Sequence, residues 1–171
     1  ANSTVFGGIA GDHAGAWVAG RGALELVDLA AIERAIAVAT LPFTRPAGNL
    51  APLRNRLYEL MWDDVGILRT RASLERGQAA LAGLREELRA TGVADGNRAF
   101  NLTWHDWLNL DNLLDVSAAI AAAALAREDS RGAHFREDHP ATGDLATSAY
   151  TQVRQTGAAR AVSFAPVHFT R

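Results

Sequence analysis

Residues 73–92 read SLERGQAALAGLREELRATG and carry the clearest helical period of the chain. Leucines and one glycine recur at alternating steps of three and four, which places them on one face of a helix. This spacing is typical of a helix that packs along its whole length against neighbouring helices. We predict that it ends at Gly92, in the left-handed conformation that glycine favours there. The face consists of Leu74, Gly77, Leu81, Leu84 and Leu88.

Two further segments have a similar period. Residues 49–70, NLAPLRNRLYELMWDDVGILRT, place leucines on one helical stripe. Residues 108–125 form a third, largely apolar segment, which follows a polar turn at residues 95–97. Three helices of about 20 residues joined by short turns predict an antiparallel three-helix bundle of the spectrin-repeat type, over residues 49–130. For the third helix we predict a stripe of Leu110, Leu113, Leu114, Val116 and Ile120.

The segments on either side of the bundle differ from it. Residues 20–48 contain a short helical pattern and then two prolines, which predicts a linker with one helix. Residues 131–171 lose the helical period and alternate around Gly157, which predicts an extended tail with a small β-hairpin. The fold class is therefore mainly α. The predicted inward residues of the hairpin are Val153, Val162 and Phe164.

The first 19 residues predict a helix that needs a neighbour. Gly7, Gly11 and Gly15 lie four residues apart with Gly8 beside them, and each glycine costs a helix interior about 1 kcal/mol relative to alanine. We expect this helix to press against a backbone or ligand of a larger domain, with the backbone amides of residues 3–4 aimed at an electron-rich group. Because the chain starts with alanine, we also expect that it was cut from a longer polypeptide.

Composition excludes several classes of function. The chain has 171 residues, 49% of them hydrophobic, and a formal charge of −2 with 17 basic and 19 acidic residues interleaved. This balance argues against a nucleic-acid or membrane-surface footprint. The absence of cysteine excludes disulfides, thiolate nucleophiles and sulfur-ligated metals for this chain. The longest apolar run, residues 116–126, is about half of what a membrane-spanning helix needs.

A polar run, DSRGAHFREDHP at residues 129–140, offers the densest set of chemical groups. His134 and His139 with nearby carboxylates suggest a metal site, but their spacing matches no standard ligand geometry. Ser130 with His134 and Asp138 suggests a hydrolase triad, but no nucleophile elbow accompanies it. We interpret the run as a polar joint at the end of the third helix, and predict neither a catalytic nor a metal site. The residues that tie the joint are Arg131, His134, Arg136 and Asp138.

Two other stretches carry candidate groups. WHDW at residues 104–107 offers aromatic rings and a histidine, which we interpret as core lids and a polar residue at a helix start. MWDD at residues 61–64 offers paired carboxylates suited to acid–base work. Adjacent helical positions point in different directions, so we do not expect these carboxylates to cooperate.

Three segments together resemble a known family. They are LRNRLYELMWDDVGILRT at residues 53–70, LNLDNLLDVSAAIAAAALAREDSRGAHFREDHP at residues 108–140, and FAPVHFTR at residues 164–171. They resemble the C-terminal region of succinate dehydrogenase and fumarate reductase flavoproteins, and L-aspartate oxidase and adenylylsulfate reductase share parts of the pattern. The resemblance covers nearly all of residues 49–140.

This resemblance implies that residues 1–19 are the terminal helix of an FAD-binding domain. The backbone amides of Ser3 and Thr4 would then approach the flavin. The parent would move a hydride between FAD and a dicarboxylate, while the fragment alone would bind no FAD and be inactive. Phe6, Gly7 and Gly8 depart from the family pattern, which leaves the substrate open.

The resemblance also bears on partners and location. It implies that the missing FAD-binding domain is the first partner. A second copy of the fragment and an iron–sulfur subunit are further candidates, without nucleic acid or direct membrane insertion. The expected location is cytoplasmic, with a peripheral position on the inner membrane through partner subunits. Two alternatives stay open: a free-standing helical interaction module, and a fragment of L-aspartate oxidase.

Overall fold

The computed structural model describes residues 2–21, 27–156 and 159–168. Within these ranges the chain is mainly helical and has one antiparallel β-hairpin, which confirms the predicted fold class. A 3₁₀ turn, Leu41–Thr44, precedes the bundle. The elements are α1 (Asn2–Arg21), α2 (Leu29–Thr40), α3 (Ala51–Asp63), β1 (Leu68–Arg69), α4 (Arg71–Ala90), α5 (Leu102–Ala126), β2 (Phe135–Arg136), β3 (Ala149–Thr156) and β4 (Ala159–Pro166).

The chain divides into two units, residues 1–37 and residues 38–171. The first contains α1 and most of α2. Every described side chain of α1 from Ser3 to Arg21 is exposed, and α2 has no buried residue. Asp28 caps α2, because its carboxylate accepts a hydrogen bond from the Ala31 backbone N–H at 3.1 Å.

The second unit holds the core, which lies between α3, α4 and α5. The predicted face of α4 is buried as expected, together with Leu53 and Leu57 of α3. At the start of α4, Thr70 and Ser73 form a capping box, in which each side chain bonds the other's backbone N–H at 3.1 Å. The buried leucines of the two helices therefore form the continuous apolar seam that the sequence predicts.

For α5 the predicted stripe is partly wrong. Leu110 and Leu114 are buried, but Leu113, Val116 and Ile120 are 39%, 57% and 43% exposed. The buried face continues instead through small residues, which let α5 approach its neighbours closely. That face consists of Trp107, Leu110, Leu114, Ser117, Ala121 and Ala124.

Gly92 was predicted to end α4 in a left-handed conformation, and this prediction is wrong. The helix α4 ends at Ala90, and Gly92 is not among the described residues with positive φ. A β-carbon at Gly92 would overlap the carbonyl oxygen of Arg45 and lie 2.6 Å from that of Pro42. Its N–H donates to the Pro46 carbonyl at 2.8 Å. Glycine is therefore required by a close backbone approach rather than by a left-handed turn.

The tail forms the predicted hairpin, with β3 and β4 antiparallel and Val153 paired with Val162. Both valines are half-buried, whereas Phe164, also predicted to face inward, is 52% exposed. Gly157, the predicted turn, lies outside the described residues. Arg160 of β4 binds Asp115 of α5 at 2.6 Å, which fastens the hairpin to the bundle.

By length and composition α5 is the one helix of the described ranges that could cross a membrane, with a mean hydropathy of 1.3 over 18 residues. A core helix meets the same criterion. Here Asp111 and Asp115 of α5 pair with Arg85 of α4 at 3.4 and 2.6 Å. Its apolar buried face belongs to the bundle core, so the criterion alone carries no assignment to a membrane.

Candidate functional site

The polar joint lies where α5 ends and α4 begins. Its segment, residues 129–140, returns along the end of the bundle and forms a short parallel ladder with the α3–α4 connection. In this ladder Arg69 is paired with Arg136, and the Glu137 N–H donates to the Arg69 carbonyl at 2.8 Å. The joint therefore binds the connection between α3 and α4 at the end of the bundle where α5 ends.

Arg136 is the centre of the joint and is completely buried. Its Nη1 donates to three carbonyl oxygens at the end of α5, those of residues 124, 125 and 127, at 3.0, 3.1 and 3.0 Å. These carbonyls belong to the last turn, which has no intrahelical donors. A cation there also opposes the partial negative charge of the helix C-terminus. Arg136 thus terminates α5 by satisfying its free acceptors.

Asp138 completes the charge pair. Its two carboxylate oxygens accept from Nε and Nη2 of Arg136 at 2.8 and 2.9 Å. One of them also accepts from the Arg71 backbone N–H at 2.7 Å, in the first turn of α4. The hydrogen bond from Arg136 lowers the pKa of Asp138 far below its ordinary value and raises the pKa of Arg136. The carboxylate therefore stays ionised and joins the start of α4 to the end of α5 through Arg136.

Ser130 is buried and fixes the backbone of the joint. Its hydroxyl accepts from the Arg136 N–H at 2.8 Å and donates to the His139 carbonyl at 2.8 Å. A serine nucleophile needs a histidine on its hydroxyl, and this hydroxyl is engaged with backbone groups. The geometry therefore does not support the hydrolase triad.

His134 is held between two arginines. Its Nδ1 accepts from Nη1 of Arg69 at 2.8 Å, and Nε2 lies 3.4 Å from the carbonyl oxygen of Arg127. This arrangement fits the neutral ring with its proton on Nε2. Burial is the main cause that lowers the pKa of His134, and the positive charges of Arg69 and Arg127 add to it, while the hydrogen bond to the Arg127 carbonyl opposes it in part. The imidazole is therefore a structural acceptor for Arg69.

Two arginines connect the joint to the tail. Nη1 of Arg127 donates to the Ala149 carbonyl at 3.1 Å and to Oγ1 of Thr151 at 2.9 Å. Nη1 of Arg131 donates to the Ser148 hydroxyl at 2.7 Å. Both guanidinium groups also pair with Asp129, at 2.8 and 3.2 Å. The tail is therefore attached to α5 by charged hydrogen bonds as well as by the packing of its hairpin.

The geometry does not support a metal site at His134 and His139. Among the residues that the structure describes, no three His, Cys, Asp or Glu side chains converge as a metal site would require. His134 binds Arg69, while His139 lies 4.0 Å from Glu128 and is not joined to His134. The two histidines thus serve separate contacts.

The other sequence candidates are placed apart from the joint. Trp107 is buried and its Nε1 donates to the Leu88 and Thr91 carbonyls, and Trp104 is half-buried with its Nε1 on the Ala39 carbonyl at 2.7 Å. His105 is exposed. In the MWDD stretch, Asp64 pairs with Arg76 at 2.6 Å while Asp63 is exposed.

The cofactor candidates are in the other unit. Ser3 and Thr4 lie in the first turn of α1 with exposed side chains. Sequence reasoning also missed three residues of the joint, Arg69, Arg71 and Arg127. The available signal was that Arg69 lies near the end of the LRNRLYELMWDDVGILRT segment at residues 53–70, and nothing in the sequence identifies its partner.

Comparison with known proteins identifies the domain. The family model described as the fumarate reductase flavoprotein C-terminus matches residues 54–171. This chain belongs to that family. The resemblance inferred from the three sequence segments is thereby confirmed, including the part that contains the joint.

Three curated relatives match parts of this chain. The chain is 39% identical over 97 residues to one component of the CoM/CoB fumarate reductase of Methanothermobacter marburgensis, covering 56% of this chain and 18% of that protein. It is 42% identical over 88 residues to L-aspartate oxidase 1 of Ralstonia nicotianae, covering 52% and 15%. It is 38% identical over 96 residues to the succinate dehydrogenase flavoprotein subunit of Coxiella burnetii, covering 56% and 16%.

A solved structure shows the same architecture. The E. coli quinol fumarate reductase matches with a TM-score of 0.72 and 27% identity over 85% of this chain and 26% of that one. The aligned regions span less than a fifth of the length of the three curated relatives. Residues 54–171 of this chain correspond to the C-terminal part of fumarate reductase flavoproteins.

Proposed function

We propose that this chain is the C-terminal helical domain of an FAD-dependent oxidoreductase of the succinate dehydrogenase and fumarate reductase type, and that it acts as a structural buttress of the flavin-binding domain. The domain division we propose is a remnant of the flavin domain at residues 1–19, a linker at 20–48, the bundle at 49–130 and the tail at 131–171. The joint supports this role, because its polar groups bind helix ends and the tail.

The observation that carries the proposal is the exposure of α1. This 20-residue helix has no described side chain that is buried, and its large apolar residues are 49–65% exposed. A β-carbon at Gly7, Gly8, Gly11 or Gly15 would meet nothing within 4 Å. An apolar helix with five glycines is unstable in water on its own. Packing against a flavin-binding domain would cover this surface and stabilise the helix. The exposed apolar residues are Val5, Phe6, Ile9, Trp17 and Val18.

The proposed flavin contact uses the N-terminus of α1. The first backbone N–H groups of a helix have no intrahelical acceptor, and the helix dipole adds partial positive charge there. We propose that the amides of Ser3 and Thr4 hold the reduced, anionic flavin through these groups. When bound, FAD would supply hydride exchange with a dicarboxylate. We expect this contact to be too weak to hold FAD without the flavin-binding domain, so the chain alone should neither retain FAD nor oxidise succinate.

The proposal is tested first on the chain itself and then on the longer polypeptide. Flavin bands in the visible spectrum of the purified 171-residue chain, or dye reduction with succinate, would contradict the inactivity of the fragment. In the longer polypeptide, deletion of residues 49–130 should cause loss of FAD. Arg131→Ala, which removes the hydrogen bond from Arg131 to the Ser148 hydroxyl, should loosen the docking of the tail and lower flavin retention. Full retention in the deletion variant would contradict the buttress role.

The substrate and the partners are proposed only as classes. The match to an L-aspartate oxidase keeps that enzyme as an alternative parent, and turnover of the longer polypeptide with aspartate against succinate separates the two. By similarity we propose that the partner is an iron–sulfur subunit. We also propose a cytoplasmic location, peripheral to the inner membrane through partner subunits. A free-standing interaction module would instead lack an upstream reading frame with a GxGxxG motif.

A further inference from the structure

The loop before α5 presents two apolar side chains to solvent. Phe100 is 100% exposed and Leu102, the first residue of α5, is 79% exposed. They lie at the start of α5, whereas the polar joint lies at its end. A fully exposed phenylalanine contributes nothing to the core.

Phe100 also has an unfavourable backbone conformation. Its φ of 56° lies in the left-handed region, and it is the one non-glycine residue among those described with a positive φ. Glycine or asparagine reaches this conformation at lower cost than a bulky residue. Phe100 therefore combines a strained backbone with an exposed aromatic ring. Within the described part of this unit, no burial of the ring compensates for the strain.

The loop holds Phe100 in this position rigidly. Asn101 is 2% exposed, and its amide donates to the Asp95 and Asn97 carbonyls at 2.7 and 2.8 Å while its oxygen accepts from the Trp104 N–H at 2.9 Å. Asp95 and Asn97 each accept a further backbone N–H two residues on, at 2.9 and 3.0 Å. These hydrogen bonds fix the backbone beside Phe100, so little backbone entropy is lost when its ring binds, which is a property of a binding anchor.

We propose that Phe100, with Leu102, is an anchor that inserts into an apolar pocket on the flavin-binding part of the same polypeptide. This inference rests on the proposed function. An aromatic side chain buries about 150–250 Å², whereas a stable interface between separate proteins buries about 800 Å² per partner. The area that two side chains bury is therefore too small for a stable interface with a second copy or a separate protein. A tethered domain is different, because the linker keeps it at a high effective concentration.

The test uses Phe100→Asn, because asparagine accepts positive φ and removes the ring. In the 171-residue chain, the variant should unfold at the same or a higher denaturant concentration than the wild type. In the longer flavoprotein it should release FAD roughly fivefold faster or more, because the anchor is lost. Leu145→Asn is the matched control, since Leu145 is also exposed, at 63%, and has no positive φ. The control should leave FAD release unchanged.

Each contrary result has a distinct meaning. Lower stability of the Phe100→Asn chain would show that Phe100 serves its own fold, which overturns the anchor. Equal release of FAD by wild type and variant also overturns it, while leaving the buttress role intact if deletion of residues 49–130 still causes loss of FAD. If sedimentation shows a dimer of the 171-residue chain that Phe100→Asn dissociates, the occupant is a second copy and the proposal is wrong.

Discussion

Two helices of equal length, α1 and α4, have opposite environments. Each has 20 residues, but six residues of α4 are buried, and every described side chain of α1 is exposed. Both contain glycine at interior positions of the helix. The contrast shows that the length and the glycine content of a helix do not reveal its stability, because most helical stability in proteins comes from packing of an apolar face.

The glycines make the contrast concrete. A β-carbon at Gly77 of α4 would lie 2.9 Å from Cγ2 of Val65 and 3.3 Å from Cβ of Asp64, so this glycine lets the α3–α4 connection approach the helix. At Gly11 of α1 a β-carbon would meet nothing. Glycine is thus required by close packing in α4, whereas in α1 it lowers helix stability and no packing compensates for this. This difference is what an absent neighbour of α1 would explain.

The largest expected effect is that of Arg136→Ala. The substitution removes the donors for three carbonyls at the end of α5 and leaves Asp138 without its charged partner. Breaking a fully buried pair from one side costs about 3–5 kcal/mol in the free energy of unfolding. The side chain of Asp138 is 31% exposed, so we expect the lower end of that range, about 3 kcal/mol. Urea unfolding of the 171-residue chain, followed by helical circular dichroism, measures it.

The conservative variant sharpens this test. Arg136→Lys keeps the positive charge but loses the planar fork that binds Asp138 through two nitrogens. We expect a loss between those of wild type and alanine. If Arg136→Ala costs less than about 1 kcal/mol, water replaces the guanidinium and the joint does not secure the bundle.

Gly77→Ala should have a smaller effect of the same sign. The new methyl group would crowd Val65, which is 2% exposed and has a stiff β-branched side chain. Overpacking costs about 1–3 kcal/mol, and the better helix propensity of alanine returns about 1 kcal/mol. Gly11→Ala is the matched control, because it has only the propensity gain and should raise helix content. If both substitutions raised stability, the contrast between the two helices would be wrong.

The sequence predicts the fold further than it predicts the contacts. The seam of α4 was visible because large leucines mark every turn. The face of α5 was predicted only in part. Leu110 and Leu114 are buried as predicted, but the rest of the face consists of small residues such as Ser117 and Ala121, and Val116 is exposed. Small side chains give a weak periodic signal, and only the neighbouring helices determine which face packs.

The joint shows the same limit in its polar contacts. Its own run of residues was predicted to tie the end of the third helix to neighbouring groups, and the structure shows this for Arg136 and Asp138. The partners Arg69 and Arg71 were not predicted, because they lie over 60 residues away in the chain. The strain at Phe100 was equally invisible, since φ depends on how Asn101 closes the loop.

The smallest expected effect is a loss of stability in mild acid that depends on His134. Burial holds the pKa of His134 below its ordinary value of about 6.5. The charges of Arg69 and Arg127 act in the same direction, while the hydrogen bond to the Arg127 carbonyl and the charge of Asp129 oppose them. The unfolded chain therefore takes up this proton at a higher pH than the folded chain. Stability is full above about pH 6.5 and falls as the pH drops from there to the lower folded pKa.

His134→Gln isolates this step. Glutamine can still accept from Arg69 but does not titrate, so the variant should lose the part of the acid sensitivity that begins near pH 6.5. The later loss, as the pH falls below the ordinary carboxyl range toward the lowered pKa of Asp138, should remain, because Arg136 stabilises only the ionised carboxylate. Unfolding midpoints measured across this pH range separate the two steps. An unchanged upper step in the glutamine variant would mean that a different group titrates there, and that the contact between His134 and Arg69 does not set the acid response of the joint.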